Sequence, residues 1–207
     1  MKSNQIFFLG VVGIVVLIMF YAFSGEQLTH TYVDEIEEYR KDKDVMFKTG
    51  AASPLDRHSK ELFDSLSYFD VNQAYKVEAE LTKYAVPELV NVGTNNGKKR
   101  RFTKYGIAKF QMNGREHSLL LLRSMDRRAK DILFLPFTDA TNGFETYETG
   151  RYLDLEIPKT DKIILDFNMA YNPYCAYNVT YECPVPPKEN MLEIEILAGE
   201  KKFFKRD

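Results

Sequence analysis

Two cysteines and three histidines are all that the 207-residue sequence offers of the side chains that most often hold metals or form nucleophile–base pairs. A structural zinc site takes about four such ligands, and Cys175, Cys183, His30, His58 and His117 do not read as one set. An excess of one charge is missing too: 28 Lys plus Arg stand against 30 Asp plus Glu, which argues against a nucleic-acid partner. No nucleophile elbow, phosphate-binding glycine loop or dinucleotide fingerprint occurs. Internal repeats and low-complexity tracts are absent, and there is one long apolar run.

That run covers residues 6–23, 18 uncharged positions rich in Val, Ile, Leu, Phe and Met, just long enough to cross a bilayer as a helix. Lys2 precedes it and Glu26, Asp34, Glu35, Glu37 and Glu38 follow. The positive-inside tendency therefore predicts a single-pass cell-membrane anchor with the domain on the extracytoplasmic side, periplasmic in a diderm cell. Ala22 and Ser24 are spaced like a signal cleavage site, so a secreted domain is the alternative. Phe20, Tyr21 and Phe23 leave no polar segment before that site and favour the uncleaved anchor. With no cysteine near the run, a lipoprotein terminus is excluded. The expected organisation is an anchor or signal segment over 1–24, a helical stalk with docking helices over 25–70, and a β-rich domain over 71–207.

Tyr32, Ile36 and Tyr39 recur at helical spacing within a charged stretch, which predicts an amphipathic helix over 31–47. Ser53, Pro54, Leu55 and Asp56 read as a second helix start, with Leu55, Leu62, Phe63 and Leu66 as its buried face. From Tyr75 the period falls to two, as Tyr75, Val77, Ala79 and Leu81 alternate with polar residues. Further strands are expected near 89–92, 101–105, 107–112, 117–122, 132–135, 152–155, 163–167 and 191–197. Asn113-Gly114 marks a hairpin and Asn95-Asn96-Gly97 a second turn. Short strands with no helix between them predict a mainly β fold, an antiparallel sandwich or barrel-like domain preceded by two short helices.

Two long stretches interrupt the strands, 138–151 and 168–190, and loops of this length are usually functional or form a packed cap. The candidate ligand-binding residues lie in or beside them: Asp139, Glu145, Tyr147, Arg151, Asp154, Asp166, Asn168, Asn172, Glu189 and Asn190. If the loops meet, Arg151 and the carboxylates of Asp139, Asp154, Asp166 and Glu189 would frame a polar pocket suited to acid–base work. The competing arrangement is a buried network in which Arg151 grips a carboxylate through two parallel bonds. Tyr147, Tyr152, Tyr171, Tyr174, Tyr177 and Tyr181, with the amides of Asn168, Asn172 and Asn190, suit carbohydrate or peptide binding, although core packing of such rings is the commoner outcome.

Cys175 and Cys183 are the only cysteines, and in an exported domain they are expected to form a disulfide worth about 2.6 kcal/mol on the loop-length model. A metal site and a catalytic thiol paired with His117 are the lesser alternatives. Asp139, Asn142 and Glu145 offer oxygens for a calcium site, but the register is not that of an EF-hand and an Asx-turn is the simpler reading. No other cofactor is expected. Lys98, Lys99, Arg100, Arg101 and Lys104 form a basic hairpin tip that would sit in solvent or meet anionic lipid or polymer.

In these same loops the chain resembles the bacterial and archaeal family catalogued as domain of unknown function 1684. The resemblance is carried by Phe134-Leu-Pro-Phe-Thr-Asp139, Gly150-Arg-Tyr-Leu-Asp154, Leu165-Asp-Phe-Asn168, Ala170-Tyr-Asn-Pro-Tyr-Cys-Ala-Tyr177, Cys183-Pro184, Glu189-Asn190 and Ala198-Gly-Glu200. Weaker matches at 40–44, 53–55 and 68–69 extend it over nearly all of the chain after the apolar run. It implies a mainly β fold, often behind an export or anchor segment, and assigns no activity. The expected function is an anchored domain that binds a small molecule, carbohydrate or protein through the 138–151 and 168–190 loops. The alternatives are a hydrolase of an envelope or nutrient substrate using Asp139, Asp154, Asp166 or Glu189, and a purely structural envelope protein.

Overall fold

A capping box starts the described chain: the Asp34 amide donates to Thr31 Oγ1 at 3.2 Å, and the Thr31 amide donates back to the Asp34 carboxylate at 2.9 Å. The computed structural model describes residues 31–126, 129 and 131–204, so the expected membrane segment 6–23 lies outside the described residues. Among the described residues no helix is long and apolar enough to cross a membrane. The helix that follows the cap, α1, covers Tyr32–Thr49 and buries Ile36, Arg40 and Phe47. Arg40 is buried together with its guanidinium, which lies 4.5 Å from the Tyr68 ring centroid and 3.1 Å from Glu37.

The second helix differs from the sequence expectation. It is shorter, α2 at Arg57–Leu62, and its cap is Asp56, whose carboxylate accepts from the Ser59 amide at 2.7 Å. Ser53 instead forms a turn ahead of the helix, donating to Phe47 O at 2.6 Å and accepting from the Leu55 amide at 3.2 Å. Leu55, Phe63 and Leu66 are buried as expected, while Leu62 is exposed. They pack around Phe47 with Tyr177, whose ring lies 4.7 Å from that of Phe47 and nearly perpendicular to it.

Six antiparallel strands are described: β1 Lys76–Gly93, β2 Lys99–Met112, β3 Arg115–Ser124, β4 Ile132–Phe137, β5 Arg151–Glu156 and β6 Lys162–Asp166, in spatial order β5-β4-β3-β2-β1-β6. The sheet is nearly closed as a barrel. Its two edges meet where Tyr152 of β5 and Tyr171, just beyond β6, exchange both backbone bonds at 2.8 and 3.0 Å. Pairs of short strands expected from the sequence are each one long strand with a bulge. In β1 the register slips between Lys83 and Glu88, and in β2 between Lys104 and Gly106. The strand expected at 191–197 does not form; only Met191 makes a bridge, to Thr138.

Alternation puts Leu119, Leu121, Leu133, Leu135, Leu153 and Leu155 inside the barrel. The intervening Leu120 and Leu122 pack with Val92 and Phe102 on the outer face. Both faces of β3 are therefore covered, which is why its sequence reads as a run of leucines rather than an alternation.

Candidate functional site

The residues that the sequence singles out fall into two places, a buried frame and an open groove. Arg151 belongs to the frame and is fully buried. Its Nη2 donates to the Asp139 carboxylate at 2.8 Å and to Ile196 O at 2.8 Å, while Nη1 donates to Ala198 O and to Glu200 O. Burial pulls the guanidinium pKa down and the Asp139 charge pushes it back. Asp139 is equally committed, accepting from the Thr141 amide at 2.9 Å and the Thr141 hydroxyl at 2.5 Å. Three carbonyls of the irregular strip 196–200 thus find their partner on one side chain, while Gly199 O accepts from the Phe69 N–H and the Glu200 N–H donates to Ala170 O, so the strip is bonded piecemeal and not in a strand ladder.

Two glycines make this possible. Gly150 has φ +102° and Gly199 φ +76°, and a Cβ on Gly150 would stand 2.5 Å from Phe137 O, one on Gly199 2.6 Å from Ala170 O.

The amides in the long loops are frame as well. Asn190 accepts from the Leu120 amide at 2.6 Å and donates to Leu120 O at 2.9 Å and Pro136 O at 2.7 Å, tying β3 to β4. Asn168 exchanges two bonds with the Asn72 backbone, both at 2.9 Å, and its amide donates to the Asp166 carboxylate at 3.1 Å. Asn172 donates from its amide to Glu200 at 2.8 Å and from Nδ2 to Lys201 O at 2.8 Å. Asp139 accepting from the Thr141 amide two positions on is the Asx-turn, Asn142 accepts from the Asp139 amide and donates to Tyr147 O, and Glu145 and Glu189 are exposed. Among the described residues no group of three or more His, Cys, Asp or Glu side chains comes together.

The groove opens on the outer face of the barrel, between α1 and residues 171–184, and has a volume of about 690 Å³. Phe102, Phe134 and Tyr152 form its floor. Phe134 stacks on Phe102 at 5.4 Å and meets Tyr152 edge-on at 4.7 Å, and Tyr152 in turn meets Tyr171 edge-on at 5.7 Å. Tyr39 and Met46 of α1 face Tyr174 and Tyr181 across it, and Asp42, Lys43, Arg100, Asp154 and Glu182 supply its charges. Of the four carboxylates expected for a hydrolase, Asp154 alone lines it, and none of residues 138–151 does. A smaller cleft of about 240 Å³ beside Phe63 and Phe203 contains one ionisable side chain, Asp64.

Asp154 accepts from the Tyr171 hydroxyl at 2.8 Å. Its pKa is raised because the groove walls desolvate the carboxylate by more than the Tyr171 bond and the Lys43 charge stabilise it. A carboxyl whose folded pKa lies above its unfolded value destabilises the fold while ionised, so stability is gained as pH falls through the raised value. Asp154→Asn should therefore match or exceed the wild type at neutral pH, with the difference vanishing in acid. Urea titrations at neutral and acid pH check this; a variant that loses stability at neutral pH would contradict it.

A family model described as protein of unknown function (DUF1684) matches residues 61–201. The chain belongs to the DUF1684 family. A solution NMR structure of an uncharacterized protein from Haloarcula marismortui is similar at 37% identity and a TM-score of 0.64, over 81% of this chain and 92% of that one. No curated protein matches.

In this DUF1684 chain the expected disulfide is not formed. Cys175 and Cys183 are both free and buried, with the Cys175 amide 3.2 Å from Cys183 Sγ. The segment does not depend on a covalent staple. Asn178 N–H and Tyr177 N–H both donate to Tyr174 O, Tyr181 N–H donates to Asn178 O, and Asn95 exchanges backbone and side-chain bonds with Cys183. His117 is remote from both sulfurs in its contacts, lying against Phe110 and 3.2 Å from Met112 O, so the thiol–histidine pairing does not arise.

Glu200 is the DUF1684 residue that sequence reading passed over as a site. Fully buried, it ion-pairs with Lys43 and accepts from the Tyr177 hydroxyl and the Asn172 amide, so it ties α1 to the 171–184 segment. Lys43 also lies 4.5 Å from the Tyr171 ring centroid. The one signal for Glu200 was its place in the motif Ala198-Gly-Glu200.

Proposed function

We propose that the chain is a ligand-binding domain held outside the membrane by residues 6–23, and that its binding face is the groove between α1 and residues 171–184. The ligand is a small ring-bearing molecule whose polar groups meet Asp154, Asp42 or Arg100. The observation that carries this is the groove itself. Its volume of about 690 Å³ falls within the range of about 300–1,000 Å³ usual for ligand pockets, and aromatic rings dominate its floor. Rings with polar tips bind flat ring faces while their hydroxyls fix orientation.

Residues 138–151 act in this reading as the frame that sets the floor, with Arg151 leading into β5 and so into Tyr152 and Asp154. Ile132 is half-exposed and lines the groove, so it can be enlarged with little effect on the core. Titration calorimetry of the full chain against a panel of aryl and pyranosyl compounds should find binders, and Ile132→Trp should weaken them at least tenfold while leaving thermal stability nearly unchanged. Binding that is indifferent to Ile132→Trp would place the ligand elsewhere.

A further inference from the structure

The cysteine pair has no part in the frame, and its sulfurs are arranged unequally. Cys183 lines the groove, whereas Cys175 does not. Cys183 Sγ receives the Cys175 amide N–H at 3.2 Å, and Cys175 Sγ is in turn 3.8 Å from the Tyr147 hydroxyl. Donors therefore run from Tyr147 to Cys175 and from the Cys175 amide to Cys183, the sulfur that faces the groove. Arg100, which also lines the groove, adds positive charge on that side.

We propose that Cys183 is a nucleophilic thiolate that forms covalent adducts with soft carbon electrophiles, conjugated carbonyl compounds above all, entering the groove, and that Cys175 is a positioning residue that donates to it. The inference rests on the groove being a ligand site. In the step, Cys183 Sγ forms a bond to the β-carbon of the alkene and the π pair moves to the α-carbon. That carbon takes up the equivalent of the proton that Cys183 released to solvent, so no oxidant or reductant is required. The electrostatics agree with the geometry. The Cys175 thiol and amide lower the Cys183 pKa from 9.0 to about 7 despite burial, while the same contact and burial raise that of Cys175.

The test is a timed reaction of the reduced full chain with N-ethylmaleimide and N-phenylmaleimide, read by peptide mass mapping, with N-acetylcysteine as the reference for each reagent. Cys183 should react at least tenfold faster than Cys175, with a rate midpoint near pH 7. In Cys175→Ala, which removes the side-chain donor, the midpoint should move upward. Should that variant not fold, the ratio and midpoint in the unaltered chain decide. Equal labelling of both sulfurs, or a Cys183 midpoint near pH 9, overturns the proposal. N-phenylmaleimide should gain several-fold over N-ethylmaleimide after normalisation. Selective Cys183 labelling without that gain upholds the thiolate and overturns the groove as a ring site.

Discussion

Arg151→Met is expected to destabilise the domain by about 4 kcal/mol or more, a large share of the roughly 5–15 kcal/mol that holds an ordinary domain folded. Among the described residues the guanidinium is the sole counter-charge bonded to a fully buried Asp139 side chain, and it also donates to the carbonyls of Ile196, Ala198 and Glu200. Removing it leaves a buried carboxylate unpaired, which costs about 3–5 kcal/mol, and strands three carbonyls at about 1–3 kcal/mol each before relaxation. Arg151→Lys should recover only part of the loss, since an ammonium is a point charge with three donors and cannot span both the carboxylate and the strip 196–200. Urea unfolding followed by circular dichroism measures this. A loss below about 1 kcal/mol for the Met variant would mean that the pair does not hold the fold.

Asn190→Ala should cost about 3 kcal/mol by the same measurement. Its side chain satisfies the Leu120 N–H, the Leu120 carbonyl and the Pro136 carbonyl, all in the fully buried strip between β3 and β4. The truncation leaves three backbone groups without partners and adds a small cavity. Asn190→Asp should be at least as harmful, because both carboxylate oxygens are acceptors and would face the Leu120 and Pro136 carbonyls. Near-native stability in either variant would show that β3 and β4 are held by their own ladder alone.

Both predictions concern residues that the sequence marks as binding candidates, and they show where reading the sequence stops. Period-two alternation located the start of β1 because side chains point alternately in and out, short apolar runs between turn signals located the other strands, and the helical spacing of Tyr32, Ile36 and Tyr39 announced α1. Bulges are not encoded by alternation, so β1 and β2 each read as two strands. The stretch 191–197 alternates as a strand does, yet its backbone is bonded piecemeal, the Leu192 N–H to Thr138 O, Ile194 O to the Ala140 N–H and Ile196 to Arg151 and Asp139, partnerships that depend on which loops meet in space. Tyr, Asn and Arg look the same in a sequence whether their polar ends turn inward or outward. Here Asn168, Asn172, Asn190 and Arg151 turn in, and Asp154 and the outer-face rings turn out. The groove needs α1, the outer sheet face and residues 171–184 together, a juxtaposition over more than a hundred positions that no local pattern carries.

The polar residues of the two loops that turn inward are distinct from the surface proposed to meet a ligand, and one experiment addresses that division directly. Amide chemical-shift mapping of the isotope-labelled full chain in detergent, titrated with the aryl and pyranosyl panel, should move signals in residues 39–46, 132–134 and 171–183 while those of 139–147 stay still. Shifts concentrated in 139–147 with a silent groove would contradict it.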